Sequence, residues 1–230
     1  MPITQRKNRP LNRDIEPIFY RDDRFFIIAC DDSYAPDQYF NFFQIPRVKV
    51  IVVPTPVNNT NSSAFHVLQR LKDSYKSYDE KWLLLDTDHY IYGSHVKDYN
   101  CALKEAEEAG IKVALNKPCF EIWLLLHHVN ANDVKNLKDA KETETLLKKI
   151  LNGYNKTNLQ QEKFPQETLK NAYLRAIELD SNPNNRIPSE NVSRVYQIWN
   201  DILDKSLDSQ LPLYLCELKS ILNNSSIRQE

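Results

Sequence analysis

Glycine is almost missing from this chain, with three in 230 residues. Neither a G-x-G-x-x-G nor a Walker A sequence is present, which excludes the Gly-rich loops that cradle nucleotide phosphates. Charge of one sign is missing too. The formal net charge is −1, so no global basic field announces nucleic acid, and any such binding must use local patches. Runs long enough to cross a membrane are absent, and no apolar segment follows Met1 to Pro10 at the position of a signal peptide. The chain therefore reads as cytoplasmic. The four cysteines, Cys30, Cys101, Cys119 and Cys216, show no C-x-x-C pairing. They read as reduced thiols rather than a disulfide or zinc framework. A zinc site from His89, His95 and Cys101 would lack both paired-Cys and H-E-x-x-H spacing. Internal repeats and low-complexity tracts are absent as well.

What is present is apolar material, 41% of the residues, enough for the core of one large α/β domain or one with a helical appendage. The stretch Lys81-Trp-Leu-Leu-Leu-Asp-Thr-Asp-His89 organises the reading. An unalternated apolar run ending in polar residues is a strand buried on both faces, as in a parallel sheet. Phe25 to Cys30 is a second such run, ending in Asp31 and Asp32. Val48 to Val53, rich in β-branched residues and closed by Pro54 and Pro56, is a further strand, and Ile111 to Leu115 another. Helices are predicted between them: Asp37 to Phe43 with Pro36 in its first turn, one with Ala64, Val67, Leu68 and Leu71 on a single face, and Tyr99 to Ala109, stopped by Gly110. Strand and helix in alternation imply a mainly parallel sheet with right-handed crossovers. Pro118 is placed to open a helix with Glu121 in its first turn. Beyond about residue 130 the chain turns helical, with apolar sets Leu146, Leu147, Ile150 and Leu151, then Leu169, Tyr173, Ala176 and Ile177. A last predicted helix runs from Val192 to Leu203, with Val195, Ile198, Trp199 and Ile202 inward. The implied organisation is a basic arm over 1–22, an α/β core over 23–130, and a helical region over 131–230 packed on that core.

Three strand exits carry acids: Asp31 and Asp32, Asp86 and Asp88, and Glu121 past the fourth strand. In open parallel sheets ligands sit outside the carboxyl ends of the strands, and neighbouring strands lie about 5 Å apart. Carboxylates brought that close repel one another and raise one another's pKa. A divalent cation removes the penalty, and hard oxygen ligands suit Mg²⁺ or Mn²⁺. A bound metal also activates water and stabilises charge developing on a phosphate. Asp31, Asp86 and Asp88 are the candidate metal ligands. His89 is a candidate for contacting a phosphate or moving a proton. Each also has a plain structural reading: strand-exit or turn acids, a loop histidine, and for Glu121 a first-turn acid favoured by the helix dipole. His127 reads as a satisfied helix histidine.

The order strand–Cys–acid, then strand–D-x-D-His, then Asn116-Lys-Pro-Cys-Phe-Glu-Ile-Trp-Leu-Leu-Leu-His127 resembles the RloB/AbiLii family of abortive-infection proteins. The likeness spans roughly Phe25 to His128. It extends weakly to Gly153-Tyr-Asn-Lys156, similar to a family Gly-Tyr-x-Lys element, and to Pro188-Ser-Glu-Asn-Val192. The resemblance implies a Toprim-type fold, a Mg²⁺- or Mn²⁺-dependent nuclease serving anti-phage defence, and a partner ATPase supplying the ATP dependence this chain lacks. It implies catalytic roles for Asp31, Asp86, Asp88, His89, Glu121 and Lys156, the last positioning a substrate phosphate. The substrate would be RNA or DNA, with no membrane; a homo-oligomer stays open.

One departure matters. The family's first motif reads Cys-Glu-Gly-x-x-Thr-Glu-x-x-Tyr-Phe, whereas this chain reads Cys30-Asp-Asp-Ser-Tyr-Ala-Pro-Asp-Gln-Tyr-Phe40. Asp31, one methylene shorter, replaces the glutamate expected to act as acid/base. Asp32 falls on the glycine, and Pro36 on the second glutamate, which leaves Asp37 as a substitute. Small misplacements are costly in catalysis. A catalytically inactive module that binds nucleic acid or nucleotide, or serves as a subunit of a defence complex, is thus the alternative.

Overall fold

A computed structural model describes residues 23–57, 61–74, 80–88 and 95–226. The basic arm over 1–22, the loop around Gly93 and His89 lie outside the described residues. In chain order the elements are β1 (Arg24–Cys30), α1 (Ala35–Asn41), β2 (Val48–Val53), α2 (Ala64–Ser74), β3 (Glu80–Asp86), α3 (His95–Glu108), β4 (Lys112–Lys117) and α4 (Glu121–Leu126). Then come α5 (Ala131–Val134), α6 (Ala140–Ile150), α7 (Leu169–Leu179), β5 (Val192–Ser193), α8 (Val195–Lys205) and α9 (Leu213–Ser226).

The protein is α/β, with a sheet order of β2-β1-β3-β4-β5. The first four strands run parallel and β5 joins antiparallel at the edge. This mainly parallel sheet with flanking helices and a helical C-terminal part matches what the Toprim resemblance implies. The chain leaves β1 for β2 on one side, then crosses back over β1 to place β3 on the other. The direction in which strands are added to the sheet therefore reverses between β1 and β3. In open α/β sheets that switch point opens a crevice beyond the strand ends.

The inner strands β1, β3 and β4 are buried on both faces over most of their length, whereas β2, at the edge, is mostly half-buried. Phe26, Ile28 and Cys30 of β1, with Trp82 and Leu84 of β3, face α1 and the C-terminal helices. Ile27 and Ala29, with Leu83 and Leu85, face α2 and α3. The first of these cores continues without a break into α4, α7, α8 and α9. Its centre is aromatic: Trp199 meets Phe43 edge-on at 4.8 Å, and Tyr39 meets Trp123 edge-on at 6.1 Å. Offset and edge-to-face pairs of this kind add about 0.5–1.5 kcal/mol each beyond area burial.

Four details differ from the sequence expectation. Val192 and Ser193 leave the predicted helix and pair with Lys117 and Asn116, so α8 begins only at Val195. Pro118 does not open α4, which starts at Glu121. The Pro118 carbonyl instead accepts the N–H groups of Thr87 and Asp88, both at 3.2 Å, and ties the β3 exit to the β4 exit. The helical stretch after residue 130 is split into α5 and α6. Finally, Ile150 and Ile177 are exposed, because each lies at the margin of its helix's buried stripe.

Candidate metal centre at the strand ends

The switch point puts the ends of β1 and β3 side by side, and β4 lies next to β3. Asp31 follows β1 directly, Asp86 closes β3, and Glu121 begins α4 after β4. All of them line one cavity of about 370 Å³, with Asp32, Asp88, Glu144, Lys141 and Lys156. Six carboxylates thus face two lysines.

Asp31 and Asp86 are coupled through the backbone. The Asp86 N–H donates to Asp31 Oδ2 at 2.9 Å. Asn116, beside Asp86 in the parallel register, donates its amide to Asp86 Oδ1 at 3.2 Å. Asn116 Oδ1 in turn accepts from Ser193 Oγ at 2.7 Å. The Tyr99 hydroxyl donates to the Asp86 carbonyl at 3.2 Å. The β3 exit is therefore fixed on three sides. Burial pushes the Asp31 carboxyl up to about 7, with the charges of Asp32 and Asp88 adding to it and the Asp86 N–H opposing it. Burial, then the charge of Asp31, then that of Glu121, push Asp86 well above the carboxylate range. No Lys or Arg ion pair reaches either group among the described residues.

The other acids are spoken for. Asp32 Oδ1 accepts the N–H groups of Tyr34 at 2.6 Å and Ala35 at 3.0 Å. This side-chain turn opens α1, the local role short Asp side chains take. Asp32 Oδ2 lies 2.6 Å from Lys156 Nζ, and Glu121 Oε1 lies 3.6 Å from the same nitrogen. Glu121 Oε1 also accepts from the Tyr154 hydroxyl at 2.9 Å. Burial works against the Lys156 charge, yet Glu121 and Asp32 outweigh it and hold its pKa above the ordinary range. The loop carrying Tyr154 and Lys156 is pinned by Gln38, which donates to the Lys156 carbonyl at 3.0 Å and accepts from the Leu159 N–H at 2.8 Å. Gly153 makes the turn into it at φ +114°, a backbone conformation other residues rarely adopt.

Of the sequence-predicted residues, Asp31, Asp86, Asp88, Glu121 and Lys156 come together in one cavity, and His89 lies outside the described residues. Asp37 does not line the cavity; its side chain accepts from Asn41 one turn on. His127 is buried away from the site and bonded to Tyr39 Oη at 3.0 Å and Thr168 Oγ1 at 2.7 Å. Sequence reasoning missed Asn116, Tyr99 and Tyr154, since only the register and the late loop bring them in. It placed Asp32 among the strand-exit acids but gave it no ligand or catalytic role.

Among the described residues no three His, Cys, Asp or Glu side chains stand grouped to grip a metal. Mg²⁺ does not need three: it keeps several waters and is commonly bound by one or two carboxylates. Asp31 and Asp86, half-buried, adjacent and without a basic ion-pair partner among the described residues, are chemically suited to that. Lys156 already serves as the cation for Asp32 and Glu121.

Among the described residues no helix is long and apolar enough to cross a membrane. No curated protein and no solved structure is significantly similar to the chain. The family model for RloB-like proteins matches residues 26–202, from β1 into α8, and so takes in the sheet, the acid-lined cavity and the Lys156 loop. The chain belongs to the RloB-like family.

Proposed function

We propose that Asp31 and Asp86, with Asp88 beside them, hold Mg²⁺ or Mn²⁺, and that the protein is a metal-dependent nuclease of the RloB-like Toprim type. The observation that carries this reading is the pair itself. Two half-buried carboxylates meet at the switch point, each pushed toward its protonated form by desolvation and by like charge. A protein that keeps such a pair bears a cost that a divalent cation removes. The cavity's acid excess also argues that a phosphodiester would enter only with a cation present.

When bound, the metal supplies Lewis acidity toward a phosphate oxygen and a lowered pKa for its water. The chain's own groups do the rest. Asn116 holds Asp86 by its Oδ1, and the Asp86 N–H holds Asp31. Lys156 donates to a phosphate oxygen when it turns from Asp32. Tyr154 keeps Glu121 beside it. The biological role is anti-phage defence under a partner ATPase, as the family resemblance implies, because this chain carries no phosphate loop of its own.

The second reading, a module that binds without cutting, draws on one specific contact. Asp32, at the family's glycine position, occupies Lys156 at 2.6 Å, and Asp31 is short by a methylene. The experiment that separates the two is cleavage of labelled RNA and DNA by purified protein, alone and with its partner, in Mg²⁺ or Mn²⁺. Cutting that falls to background in Asp86→Ala supports the nuclease. Inert wild type under every condition leaves the binding module.

A further inference from the structure

A second cavity of about 310 Å³ lies between the starts of α2 and α3, lined by Ser63, Phe65, His66, His95, Asp98 and Tyr99 among others. It adjoins the acid cavity in two ways. Ser62 lines the acid site and Ser63 this one. Tyr99 also carries its hydroxyl to the Asp86 carbonyl at 3.2 Å. The two cavities therefore share a wall at the β3 exit.

The lining chemistry selects the ligand. No lysine or arginine lines this cavity among the described residues, and Asp98 does, so a phosphate or carboxylate is disfavoured. Phe65 is 51% exposed, unusual for so large an apolar ring. It stands edge-on to His66 at 5.9 Å, whose Nδ1 is engaged by Ser63 Oγ at 2.7 Å. An exposed ring beside imidazoles, a hydroxyl and a carboxylate acceptor suits a flat, uncharged, hydrogen-bonding group. Resting on the reading of the acid site as one that handles nucleic acid, we propose that this pocket takes an unpaired nucleobase next to the scissile phosphate. Phe65 stacks on the base, and Asp98 accepts from an exocyclic amino group. Base–aromatic stacking is sequence-tolerant, whereas a carboxylate acceptor favours bases that present an amine. The substrate is then single-stranded at the cut, with an amino-bearing base preferred over thymine or uracil.

The test is fluorescence anisotropy on the full chain in Mg²⁺, using short phosphorothioate oligomers of cytidine and of uridine or thymidine, as RNA and DNA, and a duplex of equal length. The cytidine single strand is expected to bind at least about fivefold tighter than the uridine, the thymidine or the duplex oligomers. Phe65→Ala is expected to weaken cytidine binding about fivefold or more, and Asp98→Asn to erase the base preference. Both side chains are exposed, so unchanged melting temperatures will verify that the variants fold. Phe65→Ala binding like wild type, a duplex bound as tightly as a single strand, or no oligomer bound at all each overturns the proposal. Phe65-dependent binding together with no cleavage of the unmodified oligomers would remove the nuclease reading and leave the pocket. Cleavage with binding indifferent to Phe65 would do the reverse.

Discussion

Lys156 Nζ lies 2.6 Å from Asp32 Oδ2, and the Asp32 side chain is 2% exposed while that of Lys156 is 42% exposed. The pair thus has one buried and one half-open partner. Removing the open partner leaves a buried carboxylate without its cation. Lys156→Ala is expected to cost about 1–3 kcal/mol, below the 3–5 seen for fully buried pairs because water reaches the site. Asp32→Gly loses the side-chain turn that opens α1 as well. Urea unfolding of both single variants and the double variant checks this: the double variant should be less destabilised than the sum.

Restoring the family's residue at position 31 gives a second prediction. Asp31→Glu lengthens the side chain toward the cavity, and is expected to preserve or raise cleavage if one methylene is the shortfall. Asp86→Ala and Asp88→Ala are each expected to abolish it with the fold intact, as read by circular dichroism. Equal inertness of wild type and Asp31→Glu with every metal and partner would sink the catalytic reading.

The strands were legible in the sequence because burial on both faces leaves an unbroken apolar run, and Trp82 to Leu85 is such a run. The acids at their ends were legible for the same reason: polarity returns where the sheet stops. A two-residue strand such as Val192–Ser193 has no period to detect; its pairing is set by Asn116 across the sheet edge. The pairing of Asp32 with Lys156 was not legible, because Lys156 comes from a loop far along the chain. Tyr154 and Tyr99 are ordinary tyrosines until the fold brings them to Glu121 and Asp86.

Burial pushes His127 down to about 3, with His128 and Arg175 nearby adding to the effect. In the unfolded chain a histidine titrates near 6.5. Between these values the unfolded state binds the extra proton, so stability falls as pH drops from about 6.5 toward 3. Its contribution approaches about 1.4 kcal/mol per pH unit. The half-buried His128 is lowered as well and adds in the same direction. Denaturant unfolding at pH 7 and pH 5 is expected to show the loss, with a shallower dependence in His127→Gln. Equal slopes would place the proton elsewhere.

Asp31 runs the other way. Its carboxyl, pushed up to about 7, keeps a proton that the unfolded chain gives up near 3.9. Metal-free protein therefore loses this contribution as pH rises through 7, and a bound cation displaces the same proton. The rise in melting temperature on adding Mn²⁺ is expected to be larger at pH 8 than at pH 6. A shift independent of pH, or larger at pH 6, would point away from Asp31 as a ligand.

The central claim is that a divalent cation sits between Asp31 and Asp86, and the most direct measurement is anomalous diffraction from crystals soaked in Mn²⁺. The account predicts a single strong peak within about 2.0–2.6 Å of oxygens of both carboxylates, lost in Asp86→Ala crystals. Saturating Mn²⁺ with no peak at that position, or a peak held only by Asp32 and Glu121 after Lys156 has swung away, would contradict it.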